Sequence, residues 1–473
     1  MDSSQEHPPL RRQAISVVAW RIVGILATLG ANILAARLLG PAEFGIYLLV
    51  TTLMALGGLI GMTGLNEAGL RFVSESLALD RHGLARAYLR RVLATVAIAS
   101  LLATVVMATG MILFQAKTGR FHDPLLLILL TSFGIVALAW QQISAESLRS
   151  YGDLRRASFF SGGQTGGPVS NLLLLAGLVV AGLTIDKLNV SWAVALTVIS
   201  IGLTCPLALL SVWRTSQASH SHSNDGSPVL SNEQRRELLA VGSVLLVNQI
   251  LAFGSQQLDI WLGGALLDPE SLGLYGAAKR SLLLAAMPVQ MAMMTVLATI
   301  PRLHAQKRTR DLERVLRSAA TYAAIPAGIA LVLLGLFPDT ILRLVFGGSY
   351  TGAASTVMVL VVGHLVLVLS GNPSHVLTMT GRHRTVLVVN LATAILLVVV
   401  GVIGAKLFGA PGLAVGSAAS LAFQNGLLWW LARRHLGLWT HVGLPLRSIG
   451  ARSISPSPVT LESGRVSAVL TEA

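Results

Sequence analysis

The sequence predicts an all-α membrane protein, with about twelve transmembrane helices in two parallel six-helix lobes around a central cavity. Three observations predict it. Of 473 residues 53% are hydrophobic and only 12% charged, where a soluble chain carries about a quarter charged residues. The apolar residues are gathered into runs of about 20, the length a helix rising 1.5 Å per residue needs to cross ~30 Å of hydrocarbon. A ten-residue stretch is also written twice, once in each half of the chain.

The apolar runs fall at 14–38, 44–65, 92–114, 124–146, 157–183, 190–213, 238–264, 272–300, 318–338, 353–372, 385–407 and 411–432. They are continuous, whereas barrel strands alternate over ~10 residues, and lipid obliges each segment to satisfy its own backbone hydrogen bonds. The termini and alternate connections hold 26 of the 35 Lys and Arg. The remaining connections hold six, and Arg21, Lys279 and Arg280 lie inside or at the border of apolar runs. Basic loops stay on the cytoplasmic side, so both termini are expected there. The net charge of +14 then reflects loops facing anionic lipid and requires no nucleic acid. The first run is too long for a signal-peptide core and opens onto a second span. Cys205 is the single cysteine, which excludes an intramolecular disulfide.

Domain boundaries follow. Residues 1–213 form the N-terminal lobe, 214–236 a polar cytoplasmic linker, 237–436 the C-terminal lobe, and 437–473 a cytoplasmic tail, Ser-rich and expected to be disordered at its end. The repeat pairs LLGPAEFGIY at 38–47 with LLDPESLGLY at 266–275, five of ten positions being identical. Arg91-Val92-Leu93 pairs with Arg314-Val315-Leu316, and Leu148, Gly152 and Arg155 pair with Leu377, Gly381 and Arg384. An even number of spans separates the copies, so the halves share one orientation about an axis along the membrane normal, with a substrate site between them.

Polar residues inside spans mark candidate sites. Arg21, Thr28 and Asn32 share a stripe of the first helix at spacings of seven and eleven, and the repeat offset maps Arg21 and Thr28 onto Gln249 and Gln256 of helix 7. These two helices are expected to face one another across the cavity, with Arg21 either contacting an anionic substrate or snorkelling to headgroups. Asn248 begins a second stripe on helix 7 that ends at Asp259. Asp259 is expected to pair with Lys279 or Arg280, or to titrate as a coupling site; Lys279 and Arg280 otherwise bind substrate or snorkel. Met287, Met291 and Met294 continue the Arg280 face of helix 8 and read as packing. Gln141, Gln142 and Glu146 read as interhelical hydrogen-bonding groups. His364 and His375, with Pro373 between them, read as packing or a broken helix, so no metal site and no cofactor is expected.

LGPAEFGIY after the first span, Gln257 and Asp259 ahead of LLDPESLGLYGAAKR, Pro301-Arg302-Leu303, LRLVFGGSY at 342–350 and the Gly409-Ala410-Pro411-Gly412 entry to the last span together resemble the oligosaccharide flippases. This is the polysaccharide-export branch of the superfamily that also holds multidrug extruders. The resemblance implies a transporter of the bacterial inner membrane that flips a polyprenyl-diphosphate-linked oligosaccharide, such as a lipopolysaccharide precursor, by alternating access. It also implies membrane lipids, a polysaccharide polymerase and glycosyltransferases as partners. A cation-coupled multidrug antiporter is the alternative, but it would want mid-span carboxylates, and the first lobe has none; the excess of buried cations favours anionic cargo. An enzyme is not expected, because no phosphate-binding Gly-rich loop, metal cluster or nucleophile–His arrangement is present.

Overall fold

The computed structural model describes residues 10–162, 165–185, 187–218, 230–296 and 299–443. Among the described residues the chain is helical throughout its regular structure, without a β-sheet. The first half holds α1 (Leu10–Met62), α2 (Leu65–Ala78), α3 (His82–Thr118), α4 (Pro124–Ser150), α5 (Leu154–Phe160), α6 (Pro168–Thr184) and α7 (Val190–Ala218). The second half holds α8 (Asn232–Leu266), α9 (Pro269–Val296), α10 (Thr299–Ala305), α11 (Thr309–Leu336), α12 (Pro338–Val345), a 3-10 turn (Gly348–Ala353), α13 (Ala354–Ser370), α14 (Pro373–Met379) and α15 (His383–Leu436).

Two of these helices are hairpins of spans. The backbone of α1 reverses at Gly40, with φ +72°, and that of α15 at Gly409, with φ +65°. Both angles lie in the left-handed region that only glycine adopts freely, and a proline opens the following arm at Pro41 and Pro411, where its missing N–H costs nothing. Eight helices among the described residues are long and apolar enough to cross a membrane; counting the arms of α1 and α15 separately and adding α9 and the shorter α6, twelve helical segments fall at the expected runs. The fifth differs from expectation. The run at 157–183 is broken by extended chain at Ser161 and Gly162, and α6 restarts at Pro168 after Gly166, with φ +92°. Glycine and proline in GGQTGGP end one helix and begin another inside an otherwise apolar run.

Spans within each half pack into a lobe, and the lobes meet along two seams, α1 with α9 and α1 with α8; the second arm of α1 touches both, Gly45 and Leu48 approaching Gly273 and Gly276 of α9 and Leu49 approaching Gly264 of α8, while the first arm faces α9 across a cavity. The repeated turns lie where the seams converge. A Cβ added to Gly45 would overlap the Pro269 carbonyl oxygen, and one added to Gly273, its counterpart in the second copy, would overlap that of Pro41. The two copies thus pack on one another reciprocally, at the end of the molecule opposite Leu10 and Leu436. Those two residues mark the basic end.

The expected linker lies largely outside the described residues, since α7 extends to Ala218 and α8 begins at Asn232. The tail is described to residue 443, where Thr440 Oγ1 donates to the Ser370 carbonyl at 2.8 Å and the Val442 N–H to that of Leu369 at 3.0 Å; the remainder of the expected disorder falls outside the described residues.

Gly45→Val is expected to lower the thermal midpoint of the detergent-purified protein, an overpacking cost of about 1–3 kcal/mol. Gly110→Ala, at a helical site where an added Cβ meets nothing within 4 Å, is expected to leave it unchanged or raise it slightly. Heat denaturation followed by size exclusion reads both.

Candidate functional site

A cavity of about 570 Å³ lies between the first arm of α1 and α9, walled on the N-terminal side by the end of α4 and the α5–α6 break. Arg21, Thr28 and Asn32 line it from α1, Arg280, Met287 and Gln290 from α9, and Glu146, Arg149, Ser161 and Asn171 from the remaining wall. At helical rise Arg21 lies about 28 Å from Gly40, near the basic end, whereas Arg280 lies about 17 Å along α9 from Pro269, close to mid-depth. The two guanidiniums therefore stand at successive levels of one wedge.

The α1 wall is fixed by close approach to α6. Gly24 leaves room for Pro168, whose Cγ would stand 2.8 Å from an added Cβ. Thr28 Oγ1 accepts from Asn171 Nδ2 at 2.9 Å and donates to the Gly24 carbonyl at 2.7 Å, Asn171 Oδ1 accepts from Thr165 Oγ1 at 2.7 Å, and Asn32 Nδ2 donates to the Thr28 carbonyl at 2.7 Å. Deeper in the lobe the amide of Gln141 donates to Ser170 Oγ and Thr204 Oγ1 at 2.7 and 2.8 Å, tying α4 to α6 and α7. Glu146 instead bonds within its own helix, both its oxygens accepting from Arg149 Nη1 at 2.9 and 2.8 Å. Three arginines and a single carboxylate line the cavity, leaving it with a cationic excess.

Lys279 does not line the cavity. Its ammonium donates to Asp259 Oδ1 and the Gln256 carbonyl, both at 2.6 Å. The other carboxylate oxygen of Asp259 accepts from Tyr275 Oη at 2.6 Å and Ser417 Oγ at 3.4 Å. This cluster joins α8, α9 and α15 inside the C-terminal lobe. The Asp259 side chain is 5% exposed, and both its oxygens are occupied by these donors. Of the helix 7 candidates, Asn248 and Gln256 are exposed, and Gln249 Nε2 donates to Asn66 Oδ1 at 3.2 Å and Glu67 Oε1 at 2.9 Å. None of the three lines this cavity; Gln249 closes the second seam, where Gly64 abuts the Gly242 carbonyl. The Met294 side chain lies outside the described residues. His364 and His375 bond locally, to the Leu360 carbonyl and Asn372 Oδ1 at 3.0 and 2.9 Å, either side of the break between α13 and α14.

Asn171, Arg149 and Ser161 are lining residues that sequence reasoning did not single out. The signal for Ser161 and Asn171 was the GGQTGGP interruption that lies between them.

The cavity and the two lobes can be set beside known proteins. The family model described as polysaccharide biosynthesis protein matches residues 10–307. The chain belongs to that family. An inward-facing multidrug resistance MATE family transporter of the MOP superfamily superposes with TM-score 0.64 at 15% identity, covering 90% of this chain and 98% of its own. The lipid II flippase MurJ in an inward closed conformation gives 0.65 at 15%, covering 89% and 87%. A MOP superfamily transporter from Pyrococcus furiosus, described by the reverse polarity of its binding pocket, gives 0.56 at 16%, covering 90% and 95%. No curated protein matches the sequence. The fold is that of these transporters, and the family is one of polysaccharide biosynthesis.

Asp259→Asn is expected to destabilise the protein by about 1–3 kcal/mol, because it removes the charged partner of the half-buried Lys279 ammonium. Asp259→Leu combined with Lys279→Met is expected to recover most of that loss. A double-mutant cycle of thermal midpoints reads the pair; a double variant as unstable as Asp259→Asn would mean that the ion pair is not what holds the cluster.

Proposed function

We propose that the protein flips a polyprenyl-diphosphate-linked oligosaccharide, a polysaccharide precursor, from the cytoplasmic to the outer leaflet of the bacterial inner membrane by alternating access. The observation that carries this reading is the cationic excess of a cavity whose lining runs from Arg21 near the basic end to Arg280 near mid-depth, in a chain of the polysaccharide biosynthesis family. A diphosphate is unfavourable in hydrocarbon unless it meets fixed cations in a wet path. Arg21 and Arg280 supply two such cations in succession, one near the entrance and one near mid-depth, while Thr28, Asn32, Asn171 and Gln290 offer amide and hydroxyl groups of the kind that bind sugars. The excess of Lys and Arg at the end that carries both termini supports a cytoplasmic position for them.

The opposite end is closed by contacts that a rocking motion could release. The Arg37 guanidinium donates to the carbonyls of Leu344 and Val345 at the end of α12, Tyr350 Oη donates to the Ala36 carbonyl at 2.7 Å, and Arg120 donates to the Gly264 carbonyl. All three cross between the lobes. Breaking them while closing the wedge around Arg21 would present the cavity to the other side, with the lobes moving as units. Glycosyltransferases and a polymerase would supply and consume such a cargo.

The competing reading is cation-coupled export of small molecules, which the likeness to a multidrug transporter fold favours. It needs a carboxylate exposed to the cavity and available to a cation. Glu146 is the carboxylate in the cavity wall and is held by Arg149; Asp259 is held by Lys279.

Liposomes containing the purified protein and polyprenyl diphosphate oligosaccharide, probed with an external glycan-modifying enzyme, test the proposal. The protein is expected to increase the accessible fraction over time. Arg21→Ala and Arg280→Ala are each expected to slow this by roughly tenfold or more, the loss of a charge-assisted contact. No increase in accessibility, with expulsion of a cationic dye under an ion gradient, would move the protein to the competing reading.

A further inference from the structure

A second cavity, of about 730 Å³, lies outside the transport path, between the starting turns of α3 and the last turns of α7. It shares no lining residue with the central cavity. Its lining is graded along the membrane normal. Arg86, Arg90, Ser216 and Gln217 lie at the basic end, and Leu93, Pro206, Leu209 and Leu210 continue deeper. Leu93 stands about 10 Å beyond Arg86 along α3, and Pro206 about 15 Å beyond Ser216 along α7. The groove faces away from the lobe seams: Leu203, Leu207 and Leu210 of α7 are 58%, 55% and 49% exposed, and Ile98, Leu101 and Leu102 of α3 are 60% exposed or more. In a bilayer these residues meet acyl chains.

The charges at the polar end are not spent on carboxylates. Arg86 Nη2 donates to the Ser216 carbonyl at 3.0 Å, which anchors its guanidinium across the mouth between α3 and α7. Among the described residues neither Arg86 nor Arg90 has an acidic partner within ion-pairing distance. Trp213, 59% exposed, lines the groove one turn deeper than Ser216, at the level where an indole sits between headgroup and chain. Two guanidiniums one helical turn apart above an apolar slot complement a phosphate carried on an acyl chain. A zwitterionic headgroup would bring its ammonium against the same arginines.

We propose that this groove is a binding site for an anionic glycerophospholipid of the cytoplasmic leaflet, its phosphate held by Arg86 and Arg90 and its chain lying against Leu93, Leu209 and Leu210. The lipid is a resident of the N-terminal lobe, not cargo, because the groove is separate from the central cavity. It fills the gap between α3 and α7, helices that meet chiefly through α4, and so braces the lobe that must move as one body. The inference does not depend on which substrate the transporter carries.

Quenching of Trp213 tests it. The full-length protein is reconstituted in bilayers containing dibrominated phosphatidylglycerol or dibrominated phosphatidylcholine at equal mole fraction, and the signal of Trp213 is isolated as the difference between the parent and Trp213→Phe. The anionic lipid is expected to occupy the site with a preference of roughly tenfold to thirtyfold, as two arginines facing one phosphate imply. Arg86→Gln combined with Arg90→Gln is expected to abolish that preference. In the parent protein, unbrominated phosphatidylglycerol is expected to relieve the quenching and soluble glycerol phosphate is not, a comparison that needs no variant to fold. Equal quenching by both lipids, a preference that survives the double substitution, or relief by glycerol phosphate alone would each overturn the proposal.

Discussion

The structure depends on one contact, the reciprocal approach of Gly45 to the Pro269 carbonyl and of Gly273 to the Pro41 carbonyl. Any side chain at either glycine would force the lobes apart where both seams converge. The neighbouring positions extend the constraint, because Gly276 receives the Leu48 side chain and Gly264 that of Leu49. This accounts for the chain writing one turn twice: two copies of a Pro-x-x-x-Gly corner make a self-complementary surface, so a single short sequence supplies both halves of the joint. The closest approach is backbone to backbone, with Leu48 and Leu49 seated over the neighbouring glycines, so each lobe meets the other as a packed unit.

The pseudo-symmetry that builds the joint is broken below it. The two seams are equivalent under the repeat, yet the α1–α9 seam holds the cavity, while its twin between α8 and the second arm of α1 is filled. Trp261 Nε1 reaches Thr52 Oγ1 at 3.3 Å midway along that twin, and Gln249 and the Gly64–Gly242 contact seal it near the basic end. The distribution of charge follows the same division. Lys279 and Asp259 pair with one another within the C-terminal lobe, Asp259 buried and Lys279 half-buried. Arg21 and Arg280 line the wedge instead.

Most of the architecture was legible because its causes are local. Run length fixes the spans, and glycine followed by proline fixes the reversals at Gly40 and Gly409. The break before α6 escaped notice because four glycines and a proline carry too little polarity to interrupt an apolar window, although they remove helix propensity. On the site, the stripe of Arg21, Thr28 and Asn32 was readable from helical spacing alone. Transferring it to Gln249 and Gln256 by the repeat offset did not place those residues in the same cavity, since a repeat predicts equivalent positions in equivalent seams and says nothing of which seam is open. Asp259 and Lys279 are twenty residues apart on consecutive antiparallel helices, close enough for sequence to propose the pairing, whereas Ser417 joins them only through the packing of α15.

Alternating access requires the two lobes to move against one another so that the wedge and the opposite end open in turn. Distances between spin labels test it most directly, with Cys205→Ala as the background. One pair sits at the exposed Ala42 and Leu344 positions beside the closed end, the other at the exposed Arg156 and His304 positions beside the wedge. On addition of lipid-linked oligosaccharide the account predicts that a longer distance appears in the first pair and a shorter one in the second, in matching proportions. Distances that stay fixed in both pairs while glycan still crosses the bilayer, or that lengthen together, would contradict it.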